Sequence, residues 1–181
     1  SGGAILGGCG TLRAENEQEK QAKPKEASEE VSPNEDLMRE HGLLNRVLLI
    51  YDEALRRLTS GSDLDPDALR RAAGVIRHFI EDYHEKLEEN YLFPRFEKAG
   101  KLVDLVEVLR VQHQAGGRLT DEIVARMKGP TKTKEFVAAL RAFGRMYRPH
   151  KAREDTVLFP ALHTLVTASE YDALGDSFED K

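Results

Sequence analysis

The chain has 181 residues, 40% of them apolar and 33% charged, which suits one domain with a single sizeable core. Its net charge of −5, with both signs interspersed, argues against a surface of clustered Lys and Arg, so no nucleic-acid partner is expected. The lone Cys9 cannot form an internal disulfide, and no apolar run approaches the roughly 18 to 20 residues of a membrane span.

At the N-terminus, Leu6-Gly7-Gly8-Cys9 resembles a bacterial lipoprotein cleavage box, in which the cysteine carries a lipid anchor. That reading would place the protein at the cell envelope or in the periplasm; the alternative is a loose tail on a cytoplasmic protein. From Thr11 to about Pro33 the composition turns to Glu, Lys, Gln, Ala and Ser, which bury too little apolar surface to offset ordering. Residues 1–33 are therefore expected as a tail or linker.

A first helix is predicted after Ser32-Pro33-Asn34, with Leu37, His41, Leu44, Leu48, Tyr51, Leu55 and Leu58 on one face, ending near Ser60-Gly61. Asp65-Pro66 opens a second, as N-cap and first helical residue, with Ala73, Ile76, Ile80, His84, Leu87 and Tyr91 inward. It runs out between Pro94 and Gly100. A third, from about Lys101 to Lys128, turns Leu102, Val106, Leu109, His113, Thr120, Val124 and Met127 inward and stops at Gly129-Pro130. A fourth starts near Thr133 and passes Pro160, with Phe136, Leu140, Phe143, Tyr147, His150, Val157, Leu158 and Ala161 inward. Pro149 inside it predicts a kink or short break one turn upstream. Four such helices joined by short turns predict an all-α, antiparallel up-down-up-down four-helix bundle over residues 34–165, with 166–181 as a C-terminal tail.

Each predicted inward face carries one histidine in an apolar row: His41, His84, His113 and His150. A single buried histidine is usually a hydrogen-bonded core residue. Four in one core would strand several donors or acceptors, at roughly 1 to 3 kcal/mol each, unless a metal takes one nitrogen of each ring. The chain also repeats itself: His84-Glu85-Lys86-Leu87-Glu88-Glu89-Asn90-Tyr91-Leu92-Phe93-Pro94 and His150-Lys151-Ala152-Arg153-Glu154-Asp155-Thr156-Val157-Leu158-Phe159-Pro160 share His-x-x-x-Glu-acid-x-x-Leu-Phe-Pro. Residues four apart share a helix face, so His84 with Glu88 and His150 with Glu154 each form a two-toothed ligand. Two carboxylates in an apolar core are costly alone, and bridging two cations would neutralise both. Mixed imidazole and carboxylate donors suit iron, manganese or zinc, although a structural zinc site is closed and tetrahedral.

In this order, His41, His84-x-x-x-Glu88, His113 and His150-x-x-x-Glu154, with both Leu-Phe-Pro tails, the sequence resembles the hemerythrin-like (HHE cation-binding) family over about residues 34–165. The resemblance implies a four-helix bundle holding a non-haem di-iron centre, two iron ions with an oxo or hydroxo bridge, that meets dioxygen, peroxide or nitric oxide. It implies His41 and His84 on one iron, His113 and His150 on the other, and Glu88 and Glu154 bridging. Glu85, beside His84, is a further candidate oxygen for the His41/His84 iron; the alternative is a solvated glutamate.

Where oxygen-carrying members of the family have a second third-helix histidine, this chain has Gly117, and its last carboxylate follows His150 by four residues instead of five. The missing ligand implies an open position on the His113/His150 iron, for water, peroxide or a replacement side chain, and points away from reversible oxygen carriage. The functional expectation is a protein that binds or senses dioxygen or iron, or reacts with peroxide or nitric oxide. The alternatives are an enzyme decomposing hydrogen peroxide and, last, a ferroxidase or iron store, for which Glu-x-x-His occurs only at Glu81 and His84 while Tyr147 takes the matching place before His150. Tyr51 and Tyr147 are expected as core tyrosines with ordinary hydrogen bonds, and His78 and His163 as surface residues.

Overall fold

The structure, a computed structural model, describes residues 31–179, so Cys9 and its neighbours lie outside the described residues. Among these residues the protein is all-helical, with five helices and no strand. Helix α1 is Pro33–Ser60, α2 covers residues 66–99, α3 is Val103–Arg126, α4 covers residues 134–162 and α5 is Ala168–Glu179.

The helix ends follow local chemistry. The Ser32 hydroxyl accepts from the Glu35 N–H, Asp65 from the Asp67 N–H and Thr133 from the Phe136 N–H, which satisfies free donors at the starts of α1, α2 and α4. Gly61 (φ 72°) and Gly100 (φ 63°) take the left-handed conformation that closes α1 and α2. Pro149 does not break α4, which runs unbroken from Lys134 to Arg153. The irregular turns lie downstream. Ile76–His84, Glu88–Leu92 and Glu154–Leu158 are π-helical, and the Phe93 N–H bonds the Glu88 carbonyl as the Phe159 N–H bonds that of Glu154. Pro94 and Pro160 follow at once; neither has an N–H for the carbonyl four residues back, so the chain widens into i→i+5 turns just before each. The two Leu-Phe-Pro tails thus place a widened turn at each motif glutamate.

α1 packs against α2 and α4, α3 packs against the same two helices, and α5 lies on α1. Two apolar clusters form the core. One contains Leu44, Leu48, Ile76, Ile80, Ile123 and Phe143, the other Leu37, Leu92, Phe93, Leu109, Phe159 and Phe178. On each of α1 to α4 the inward histidine separates residues of one cluster from residues of the other. α5 was not expected, yet Tyr171, Leu174 and Phe178 stand at spacings of three and four and are buried in the second cluster. Leu102, Val124 and Val157, expected inward, are exposed. Ile123 takes the inward place beside Val124, and Val157 lies in the widened turn, where the 3.6-residue register no longer holds.

Candidate metal centre

His41 of α1, His84, Glu85 and Glu88 of α2, His113 of α3 and His150 and Glu154 of α4 are all buried, and Glu88 and Glu154 have 0% exposure. His41 Nε2 and His84 Nε2 stand 3.1 Å apart. Two neighbouring donors on one ion at about 2.1 Å each would stand about 3 Å apart, so the pair is spaced to share an ion. Glu154 lies 3.4 Å from His41 Nε2, 3.8 Å from His113 Nε2 and 3.1 Å from His150 Nε2. Glu88 lies 4.0 Å from His84 Nε2 and 3.3 Å from His113 Nε2. Each glutamate therefore faces histidines from both halves of the site.

All four imidazoles turn the same nitrogen inward, because each Nδ1 has its own acceptor. His41 Nδ1–H donates to Asp155 (2.7 Å), His84 to Glu40 (2.6 Å), His113 to Glu89 (3.0 Å) and His150 to Gln112 (3.1 Å). That turns every Nε2 towards the pocket and, in a neutral ring, sets the tautomer that offers it as a ligand. Sequence reasoning missed these four residues, although their pattern is regular. The acid after each motif glutamate, Glu89 or Asp155, holds the lone histidine of a neighbouring helix, and the residue before each lone histidine, Glu40 or Gln112, holds a motif histidine.

Glu85 departs from the expected arrangement. It is buried, not a solvated glutamate, and its donor atoms lie within 4.8 Å of those of His113 and His150, the half opposite the one expected. The Tyr147 hydroxyl donates to Glu85 Oε1 at 3.0 Å, which is the ordinary hydrogen bond expected of that tyrosine. Gly116 makes room for it, since a Cβ there would collide with the Tyr147 hydroxyl. Tyr51, equally buried, has no hydrogen-bond partner among the described residues. At Gly117 the space is bordered by Arg77 and Glu81. His78 and His163 are exposed, as expected.

The electrostatics are those of a pocket balancing its charge with protons. Burial would lower the His41 pKa, but Asp155 and Glu154 override it and raise it to about 9. His113 is raised likewise, by Glu154, Glu88 and Glu89 against its burial, whereas burial pushes His150 down to about 4. Burial and then Glu154 raise Glu88, while His150, His113 and His41 hold Glu154 low against its own burial. Burial lifts Glu85 to about 7.

Both oxygens of Glu88, both of Glu154 and Nε2 of His113 are buried without a hydrogen-bond partner. Buried polar atoms without a hydrogen bond cost roughly 1 to 3 kcal/mol each, and they converge here on one pocket into which all four Nε2 atoms turn. The residues present fit a metal. Two groups of donors lie within 4.8 Å, Glu85 with His113 and His150 and Glu88 with His113 and Glu154. The mixture of imidazole and carboxylate suits iron, manganese or zinc.

Residues 32–162 match the family described as "Hemerythrin HHE cation binding domain". Uncharacterized proteins of Mycobacterium tuberculosis (strain ATCC 25618 / H37Rv) and Mycobacterium bovis (strain ATCC BAA-935 / AF2122/97) are each 47% identical to the chain over 156 residues. The alignment covers 83% of this chain and 61% of each relative, so the chain spans about three fifths of the length of the curated relatives it matches. No solved structure matches it. The match of residues 32–162, well over half the sequence, with the histidines and glutamates of the motif gathered in one buried pocket, shows that the chain belongs to the hemerythrin HHE cation-binding family.

Proposed function

We propose that this protein binds a pair of non-haem iron ions and uses them to capture or sense a small oxidant, dioxygen, peroxide or nitric oxide. The observation that carries the reading is the set of orphaned oxygens on Glu88 and Glu154, two carboxylates between four inward Nε2 atoms. His41 and His84 would hold one ion and His113 and His150 the other, with both glutamates shared. Glu85 would serve the second ion from α2, making good the ligand absent at Gly117. The alternation of the apolar clusters supports an up-down-up-down course for α1 to α4. The second cluster precedes the histidine on α1 and α3 and follows it on α2 and α4.

When bound, an iron pair supplies one-electron redox chemistry and a position for a small ligand. The chain's own residues do the rest. Asp155, Glu40, Glu89 and Gln112 orient the imidazoles, Phe93 and Phe159 stack on His113 and His41 and exclude water, and Tyr147 fixes one oxygen of Glu85.

One observation favours peroxide decomposition as a second reading: the hydrogen-bonded pair Tyr147 and Glu85 beside His113 and His150 can hold a proton at the edge of the pocket. Iron-loaded protein mixed with excess hydrogen peroxide separates the two. Capture or sensing predicts one stoichiometric spectral change and no sustained oxygen release. Continued release in proportion to bound iron, lost on Tyr147→Phe, would replace it with the enzyme reading. Protein that takes up no iron would exclude both.

A further inference from the structure

We propose that divalent cations reach the centre through the gap between α2 and α3 at Gly117, and that Arg77 closes this route. The inference rests on the two-iron reading above. The ligands are sealed, with no more than 3% of any of them exposed, so an ion cannot arrive without an opening. Each of the four histidines is held in place by an acceptor on its Nδ1.

Gly117 has no side chain. A Cβ would lie 3.9 Å from both Arg77 Nη1 and Glu81 Oε2, in ordinary contact, so these two side chains border the space beside Gly117. Arg77, on α2, spans it. Nη1 lies 2.5 Å from Glu81 Oε2, and Nη2 pairs with Asp121 Oδ1 at 2.5 Å and with the Gly117 carbonyl at 3.5 Å. The guanidinium thus occupies the place of a cation between two carboxylates.

Those carboxylates form a descending series. The Asp121 side chain is 76% exposed and that of Glu81 6%, and Glu85, one turn further along α2, is in the pocket with His113 and His150. Thr120 donates to Glu81 Oε1 at 2.5 Å and holds the middle step in place. Arg77 and Asp121 also border a surface cavity of about 440 Å³, roomy enough for a hydrated ion, whose rim carries two further cations, Arg70 and Lys128. The Arg77 side chain is itself 33% exposed, so it can swing into solvent. It then leaves Glu81 and Asp121 facing the gap, a pair of hard oxygen donors suited to a divalent cation in transit.

The test is the rate at which the metal-free protein takes up ferrous iron under anaerobic conditions, followed by stopped flow, with final metal content measured for each variant. Arg77→Ala should fill several-fold faster at low salt, because it removes the cation paired with Glu81 and Asp121 and leaves both carboxylates to attract a divalent ion, and the gain should shrink as salt rises. Gly117→Leu, which plugs the gap, should fill more slowly. Both should reach the wild-type metal content. Wild-type rates in both variants at full content would overturn the route, as would an Arg77→Ala acceleration indifferent to salt, which marks a loosened fold. If Arg77→Ala fails to fold, the rate of Gly117→Leu decides alone. A wild-type protein that takes up no metal at all overturns the two-iron reading and the route with it.

Discussion

His41 and His84, from α1 and α2, face each other with their Nε2 atoms 3.1 Å apart, while His113 and His150, from α3 and α4, share their corner with a third carboxylate, Glu85. The scaffold of the two halves is the same. Each has one lone histidine and one motif histidine, and in each the Nδ1 partners come from matching sequence positions. The differences lie around the motif histidines: Glu85 after one and Lys151 after the other, Glu81 before one and Tyr147 before the other, Glu40 and Gln112 as their partners. On the proposed two-iron reading, the repeated frame would bring two ions together and the unrepeated residues would decide what each ion meets.

The largest effect tests what the halves share. Glu154→Ala removes a carboxylate that lies within 3.4 Å of His41 and 3.1 Å of His150, so iron should be lost from both halves, which elemental analysis would read directly. Retention of one ion would mean that Glu154 serves a single half.

The next separates them. Glu85→Ala should lower the iron content from two per chain towards one, because Glu85 is grouped with His113 and His150, while Lys151→Ala at the matching position should leave it unchanged. Equal loss in both variants would erase the asymmetry.

A third sharpens the comparison by pH. His41 in the metal-free fold is raised to about 9 from an ordinary 6.5, so its stabilisation is fully present below pH 6.5 and is lost as pH rises through 9. His150 is lowered to about 4, so its contribution is present above its ordinary value of 6.5 and is lost as pH falls towards 4. Glu85, raised to about 7, contributes below 4.5 and loses that contribution by about pH 7. Above pH 7 His41 is the remaining one of these three groups to titrate. The metal-free protein should therefore lose thermal stability from pH 7 to 9, and His41→Gln should reduce that decline without abolishing it, because His113 is raised as well.

The smallest is local packing. Gly116→Ala, by driving a methyl group into the Tyr147 hydroxyl, should cost about 1 to 3 kcal/mol in denaturant unfolding, as overpacked cores do. Adding Tyr147→Phe should return part of that loss, since the two sites share one contact.

Much of this organisation was legible in the sequence, and the gaps have physical causes. The boundaries of α1, α2 and α4 could be read because Ser32, Asp65 and Thr133 are caps with side-chain oxygens for the free N–H groups. The four histidines and two glutamates stood out because charged or polar residues are rare on apolar stripes. Glu85 was set beside the wrong pair because adjacency to His84 in sequence is a turn of about 100° around the helix, and that turn carries it towards α3 and α4. The acceptors Glu40, Glu89, Gln112 and Asp155 lie at the edges of the stripes, where acids and amides are commonplace, and only the packing of neighbouring helices gives each a partner. α5 escaped because its apolar face is only three residues long, Tyr171, Leu174 and Phe178, and it needs α1 to lie upon.

The most direct test of the account is elemental analysis of the wild-type protein after anaerobic loading with ferrous iron and removal of excess metal, with the visible and near-ultraviolet spectrum recorded on the same sample after exposure to air. The account predicts close to two irons per chain and near-ultraviolet charge-transfer bands, both absent from the His84→Ala/His150→Ala variant. A colourless wild-type protein that retains no iron would contradict it.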